Sequence, residues 1–513
     1  VGFLALEERG MAALSRLAAH VDRFVTRSDA TLLPRAGFAV ADVELLAPVP
    51  RPRLYWGLVT NAPSFVRNNP GTRIVNLFPL GHQRPQGTVV GPGAPVTVRD
   101  GLMAYNVELA VVIGKAGRYI PLDRAMDHVA GYTVVDDISG THYYDIVPGN
   151  AGRGYSLPDG YGDWLYQATA SWGGKKADTM APMGPYLVTK DEIANPYDLL
   201  MYTRQSGRLR DRAHSGAALL GIERVIAWYS SFASLYPGDV IHFATMGVDG
   251  LPVYPDEPAV SLEVEIEDVG TLANPVVVAD GPVPPAGHPS YAVRSAATSV
   301  STQDWSPGSA RHLYTSFGNH EDADGLPRLA VPRFLNGPAS SLGVGGPVEI
   351  PPRATDLVVS VELAVVVRAL GEELVLGYLP MVSLCDRSFA DAVVEPARAG
   401  ERGIAAMYGR WADGFNVVGE LTPLPADDWR GRDMTLRIGD RLVACSTSDY
   451  VAGPGELIAT IAAMITLFPG DVITLGATTA RLDLTRDEYD AGVVIRGGIA
   501  GLGMVTVDLL GAR

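Results

Sequence analysis

Polar side chains punctuate the apolar runs in the first half of the chain, and their types set what chemistry is available. Asn106-Val-Glu108 heads the run Leu109-Ala-Val-Val-Ile113. Gly131-Tyr-Thr-Val-Val ends in the acids Asp136 and Asp137, and Lys175 opens Lys175-Lys-Ala-Asp178. On a strand, residues i and i+2 share a face, so Asn106 and Glu108 point the same way, and an Asp from a neighbouring strand completes the set. Oxygen donors that converge in this way are what a hard divalent cation takes. Asp136 is expected on the opposite face from Asp137. Lys175 is a cation suited to stabilising a developing oxyanion. The plainer alternative for Glu108 and Asp137 is a buried polar pair that holds the sheet together.

The elements that must position these residues occur twice. Val107-Glu-Leu-Ala-Val-Val-Ile113 returns as Val361-Glu-Leu-Ala-Val-Val-Val367. Val90-Gly-Pro-Gly-Ala-Pro-Val96 has a counterpart in Leu342-Gly-Val-Gly-Gly-Pro-Val348, and Leu235-Tyr-Pro-Gly-Asp-Val-Ile241 in Leu467-Phe-Pro-Gly-Asp-Val-Ile473. The spacings are 254, 252 and 232 residues in unchanged order, which marks a tandem duplication with a shorter middle in the second copy. The breaker-rich stretch 280–311 reads as a linker. Expected units are therefore a lead-in at 1–49, a first copy at 50–279 and a second copy at 312–513. The continuous apolar runs predict strands buried on both faces. Helical spacing predicts helices over Glu7–Val25, Ala217–Leu235 and Glu456–Leu467. Many strands with one helix per copy predict an α+β fold dominated by sheet.

Composition excludes several classes. The 513 residues carry a formal net charge of −16, a poor match to nucleic-acid phosphates. Only two cysteines occur, Cys385 and Cys445, and neither lies in a metal-ligand or disulfide-framework spacing. No apolar run approaches the length that spans a bilayer, and no signal-peptide pattern opens the sequence, so a cytoplasmic location is the expectation. Glycine strings such as Gly343-Val-Gly-Gly lack the strand and helix context of a phosphate loop, and there is no Gly-x-Ser-x-Gly elbow.

These blocks together resemble the fumarylacetoacetate hydrolase superfamily across nearly the whole chain. The family pattern runs from a Glu-x-Glu strand through Gly-Tyr-Thr-Val-x-Asn-Asp-Val-Ser and Lys-x-Phe-Asp to Leu-x-Pro-Gly-Asp-Val-Ile. The resemblance implies two copies of a rolled β-sheet fold forming a pseudo-dimer, so the chain is expected to be a monomer or to pair once more as a homodimer. It also implies chemistry on enolisable β-dicarbonyl or acylpyruvate-like small molecules, usually with Mg²⁺ or Mn²⁺. Such a cation, chelated by both substrate oxygens, stabilises the enolate as a Lewis acid. Carried over, Glu108 and Asp137 are metal ligands, and Asn106 stands where the first Glu belongs, as a ligand or substrate contact. Asp136 and Glu362 are substrate-site residues, and Lys175 is the family lysine.

The family's water-activating pair, in Asn-Tyr-x-x-His-x-x-Glu, is replaced by Pro63 and Val66 in the first copy, which leaves His82 and His142 as substitute bases. In the second copy His320 is expected at the motif histidine, with Ala323 for the Glu, Ser383 for the metal Asp and Arg410 for the lysine. A metal-free pocket of His320, Glu362 and Arg410, or a purely structural second copy, are the two readings there. Without the water-activating pair, the expected reaction is non-hydrolytic: decarboxylation, tautomerisation or C–C-forming cyclisation. The competing readings are a metal-free cyclase or lyase of secondary metabolism that works by substrate preorganisation, a C–C hydrolase, and a non-catalytic binding protein.

Overall fold

The computed structural model describes residues 4, 7–27, 38–39, 42–59, 61–63, 79, 81–98, 103–140, 175–244, 246–247, 251–253, 261–278, 301–320, 333–368, 374–389, 408–425, 428–462 and 465–511. A lead-in helix α1 spans Glu7–Arg27, close to its expected bounds. The first unit then builds a six-stranded sheet. Its strands are β1 (Tyr55–Leu58), β2 (Gly81–Gln83), β3 (Val107–Ile113), β4 (Val129–Asp136), β5 (Met183–Thr189) and, after helix α2 (Ile222–Ser230), β6 (Val240–His242). Their order is β2-β1-β6-β3-β4-β5, with β1 and β6 parallel and the other pairs antiparallel. Every residue of β3 and β4 is buried, as the continuous apolar runs require. One face, carrying Trp56, Leu109 and Val111, packs on Val225, Ile226 and Tyr229 of α2. The other face, with Ala110, Val112 and Val240, forms a smaller core beside the polar cluster. Each fully buried aliphatic side chain in these cores contributes about 1.5–3 kcal/mol relative to exposure.

The second unit repeats the plan. Strands β7 (Leu313–Phe317), β8 (Arg333–Gly337), β9 (Asp356–Val367), β10 (Val375–Asp386), β11 (Asn416–Val418) and, after helix α3 (Pro454–Ala462), β12 (Val472–Thr474) pair in the order β8-β7-β12-β9-β10-β11. Each unit adds a five-stranded second sheet, one containing Ser261–Ile266 and the other Val493–Ile499. Helix α2 is shorter than the predicted Ala217–Leu235. Gly221 caps its start, and Leu235 is already extended, exchanging backbone hydrogen bonds of 2.9 and 3.0 Å with Gly117. Likewise α3 is Pro454–Ala462, and Leu467 lies outside it.

The units meet through a two-fold-like pair of contacts. The Asp178 carboxylate accepts from Thr466 N (3.1 Å) and Thr466 Oγ1 (2.7 Å), and Asp413 accepts from Ser234 N (2.9 Å) and Ser234 Oγ (2.5 Å). Asp178 and Asp413 are equivalent in the two copies, as are Thr466 and Ser234, so the contact is isologous within one chain. Between them Phe232 meets Phe389 edge-on at 5.4 Å, and Trp228 meets Tyr408 at 5.4 Å. The Tyr408 hydroxyl donates to Gly81 O (2.6 Å), fixing the end of β2 from the opposite unit. Trp305, inside the expected linker, donates to Gly470 O (3.1 Å) and packs on the second unit. Among the described residues no helix is long and apolar enough to cross a membrane.

Candidate active site

Register places the site. Ala110 pairs with His242 and Val107 with Asp136, so Glu108 and His242 share a face while Asp136 lies on the other. Asp137 follows β4, and its N–H donates to Asn106 O (2.9 Å), which brings its carboxylate beside Glu108. Three neighbouring strands align His82, Gly57 and His242 side by side. A Cβ on Gly57 would lie 2.1 Å from His242 Cε1 and 2.2 Å from Nε2, so the missing side chain is what admits the imidazole. The His82 and His242 rings meet edge-on at 6.2 Å, and Tyr55 tilts against His242 at 5.3 Å.

Glu108 Oε2 takes His242 Nδ1 and accepts from Ala244 N (3.0 Å). Asp137 is gripped by Lys175 Nζ and by the guanidinium of Arg84, whose side chain is fully buried. Arg84 also donates to the Lys175 and Met180 carbonyls, tying the lysine segment to the sheet. Glu108, Asp137 and His242 each present a donor atom, all within 4.8 Å of one another.

Burial pushes the His82 and His242 imidazoles below their ordinary value, His82 well below, aided by the charges of Arg84 and Lys175; both rings are neutral at pH 7. Burial likewise lowers Arg84 to about 10 and Lys176 to about 7. It raises Asp136, on the opposite face of the sheet, well above the ordinary carboxylate value. The two His82 ring nitrogens and His242 Nε2 are buried without a hydrogen-bond partner among the described residues.

Of the expected residues, the structure brings Glu108, Asp137 and Lys175 together, with Asn106 buried alongside. His142 lies outside the described residues. Of the expected trio of the second unit, Glu362 and Arg410 meet directly. Glu362 Oε1 accepts from Ser360 Oγ (2.9 Å) and Arg410 (2.6 Å), and Oε2 from Thr474 Oγ1 (2.5 Å), which closes both oxygens. His320 lies 3.8 Å from Asp449, with Cys445 close by. It does not stand at the motif histidine. Asn61 Nδ2 donates to Leu220 O and Phe243 O, and Asn319 Nδ2 to Ala452 O and Leu475 O. These asparagines are therefore equivalent, and His320 falls one residue later, opposite Ala62 and not opposite Pro63. Ser383, in place of Asp137, donates to Asn416 Oδ1 (2.7 Å).

His242 and Arg84 were not among the expected site residues. Their signal lay in comparing the copies one residue further. The second unit has Thr474 opposite His242 and Gly337 opposite Arg84.

A tandem rolled-sheet protein with a buried carboxylate, imidazole and lysine cluster in its first unit is the class that fold and site define. The FAA hydrolase C-terminal domain matches residues 56–277 and again 309–509, and the chain belongs to the fumarylacetoacetate hydrolase family. Among its relatives, a mitochondrial oxaloacetate tautomerase of Bos taurus is 34% identical over 277 residues, covering 53% of this chain and 78% of the relative. A maleylpyruvate hydrolase of Aquipseudomonas alcaligenes is 28% identical over 270 residues, covering 50% of this chain and 83% of the relative. A crystal structure of maleylpyruvate hydrolase from Sphingobium sp. SYK-6, in complex with manganese(II) and pyruvate, aligns at 25% identity and a TM-score of 0.38 over 53% of this chain and 86% of that one. The chain is an enzyme of a family whose members include an oxaloacetate tautomerase and a maleylpyruvate hydrolase.

The residues of the first unit fit a divalent cation. Two buried carboxylates and an imidazole converge, with one donor atom from each of Glu108, Asp137 and His242 within 4.8 Å of one another. The equivalent place in the second unit does not fit one, since Glu362 is closed by Arg410 and Thr474 and the Asp is replaced by Ser383.

Proposed function

We propose that the first unit catalyses proton transfer at a carbon flanked by carbonyl groups: the keto–enol interconversion of a 2-oxo dicarboxylic acid of the oxaloacetate type. The observation that carries this reading is the convergence of Glu108, Asp137, His242 and Lys175, in a sequence where Pro63 and Val66 replace the motif's water-activating pair. Moving a proton needs a stabilised enolate and a base, and it needs no nucleophilic water. A divalent cation, when bound, would be held by Glu108, Asp137 and His242 and would supply Lewis-acid polarisation of the substrate oxygens.

The chain's own groups do the rest. Lys175 Nζ, held against Asp137, stands to neutralise negative charge that develops on the substrate oxygen. Its position is fixed by Arg84, which binds both Asp137 and the Lys175 carbonyl. His82 is neutral, buried and without a hydrogen-bond partner among the described residues, and it is the group available to take the carbon-bound proton and return it. The apolar shell of Ala110, Val112 and Val240 keeps bulk water from competing.

The test uses freshly dissolved enolic oxaloacetate and, separately, maleylpyruvate. Faster decay of the enol absorbance than with buffer and cation alone, with no release of pyruvate from either compound, is the expected result. Pyruvate release at the same rate as enol loss would replace this reading with decarboxylation or hydrolysis.

A further inference from the structure

The first unit lacks one carboxylate of the family pattern, because Asn106 stands in place of the first Glu. It has gained an imidazole two residues along the adjoining register. We propose that His242 is a direct ligand of the divalent-cation centre, in place of that carboxylate, and that it turns the preference of the site from Mg²⁺ toward first-row transition metals such as Co²⁺.

The geometry supports this in three ways. First, the donor atoms of Glu108, Asp137 and His242 lie within 4.8 Å of one another, and His242 Nδ1 is the ring nitrogen beside Glu108 Oε2. Second, the imidazole is housed on purpose. Gly57 sits opposite His242 in the β1–β6 register, and a Cβ there would come within 2.1 Å of the ring. The second unit has threonines at both equivalent places, Thr315 opposite Thr474. Glycine therefore accompanies histidine, and a side chain returns where no imidazole has to be accommodated. Third, at the equivalent place in the second unit Thr474 donates to Glu362 and accepts from Gly476 N, and the other Glu362 oxygen is held by Arg410 and Ser360, so among the described residues no donor set converges there.

The expected selectivity follows from ligand chemistry. Mg²⁺ prefers a shell of hard oxygens, whereas an imidazole nitrogen strengthens binding along the series from Mn²⁺ to Co²⁺ and Ni²⁺. Exchanging an anionic oxygen for a neutral nitrogen weakens the electrostatic hold on Mg²⁺. It weakens Co²⁺ less, because the nitrogen compensates.

The inference shares its residues with the proposed tautomerase reading, and its test is independent of turnover. Full-length protein stripped with chelator is titrated calorimetrically with Mg²⁺, Mn²⁺ and Co²⁺, and the Mn²⁺ form is examined by pulsed electron paramagnetic resonance for ¹⁴N coupling. The expected results are one site per chain, Co²⁺ bound at least tenfold more tightly than Mg²⁺, and a clear nitrogen coupling. His242→Thr, the residue of the second unit, should lose the coupling and narrow the Co²⁺/Mg²⁺ ratio at least tenfold. If that variant fails to fold, His242→Gln, closer to the imidazole in bulk and offering an oxygen, should keep the metal and lose the coupling. Absence of nitrogen coupling in the Mn²⁺-loaded wild type, a ratio unchanged in the variants, or no metal bound at all would overturn the assignment. A nitrogen-coupled metal in a protein that leaves oxaloacetate untouched would uphold the ligand and refute the proposed reaction.

Discussion

Gly57→Ala probes the site without changing any polar atom. The new Cβ would stand 2.1 Å from His242 Cε1, 2.2 Å from Nε2 and 3.0 Å from Nδ1. Carbon atoms in comfortable contact sit about 3.5 Å apart, so the ring has to retreat by about 1.4 Å. The backbone gives little room for this, because β1 and β6 are locked in register at Tyr55–Val240, Trp56–Ile241 and Gly57–His242. Overpacking of this kind costs about 1–3 kcal/mol of stability. A displacement above 1 Å pulls Nδ1 out of reach of a shared cation, and a loss of about 10–100-fold in metal affinity is expected, as for disturbed metal surroundings in general. Calorimetric titration with Co²⁺ and a thermal melt measure the two effects. Thr315→Gly, at the equivalent place in the second unit, is the control and should leave metal affinity unchanged. Wild-type affinity and undiminished nitrogen coupling in Gly57→Ala would refute the argument that this glycine positions His242.

Three further outcomes are expected. Glu362→Gln breaks the buried pair with Arg410 and should cost about 3–5 kcal/mol in denaturant unfolding while metal stoichiometry stays at one per chain; loss of metal would move the centre to the second unit. Asp178→Ala and Asp413→Ala each remove a carboxylate that bridges the units at equivalent places. Each should cost about 1–3 kcal/mol, by similar amounts, read as loss of stability in denaturant unfolding. Lys176 is buried and its amine is lowered to about 7 from the ordinary 10.5, so between those values the unfolded chain holds a proton that the folded chain lacks. Stability from this group therefore falls as pH drops from about 10 to about 7 and is level below that. Lys176→Met should be stabilised relative to wild type by more at pH 7 than at pH 10, with a difference on the order of 3 kcal/mol; a pH-independent difference between the two proteins contradicts the assigned shift.

The fold was readable because its causes are local or repeated. Seven consecutive apolar-framed residues at Val107–Ile113 cannot lie on a half-wet surface, and their return at Val361 identifies the duplication before any contact is known. Helix ends were less readable, since Leu235 fits a helical period yet is claimed by the bridge to Gly117. In the site, Glu108 and Asp137 were legible from strand periodicity and motif, and Asp136 was correctly assigned to the other face. His242 was not, because its relation to Glu108 depends on which strands become neighbours, a tertiary fact. The repeat still held a clue: the matched blocks end at Ile241 and Ile473, and the next residue is where His242 and Thr474 part. Arg84 was hidden for the same reason, on a three-residue strand end with no period of its own. In the second copy, counting from a motif misplaced His320, and the matched side-chain hydrogen bonds of Asn61 and Asn319 show the true alignment.

The central claim is that the first unit moves a proton at carbon without breaking a C–C bond. The most direct measurement is proton NMR of oxaloacetate in D₂O with enzyme and Co²⁺ or Mg²⁺, following washout of the C3 hydrogens beside pyruvate formation, against cation alone and against Lys175→Met. Enzyme-dependent deuterium incorporation that outruns any pyruvate signal and falls at least tenfold in Lys175→Met is the predicted result. Deuterium incorporation no faster than with cation alone, or incorporation that only tracks pyruvate, would contradict it.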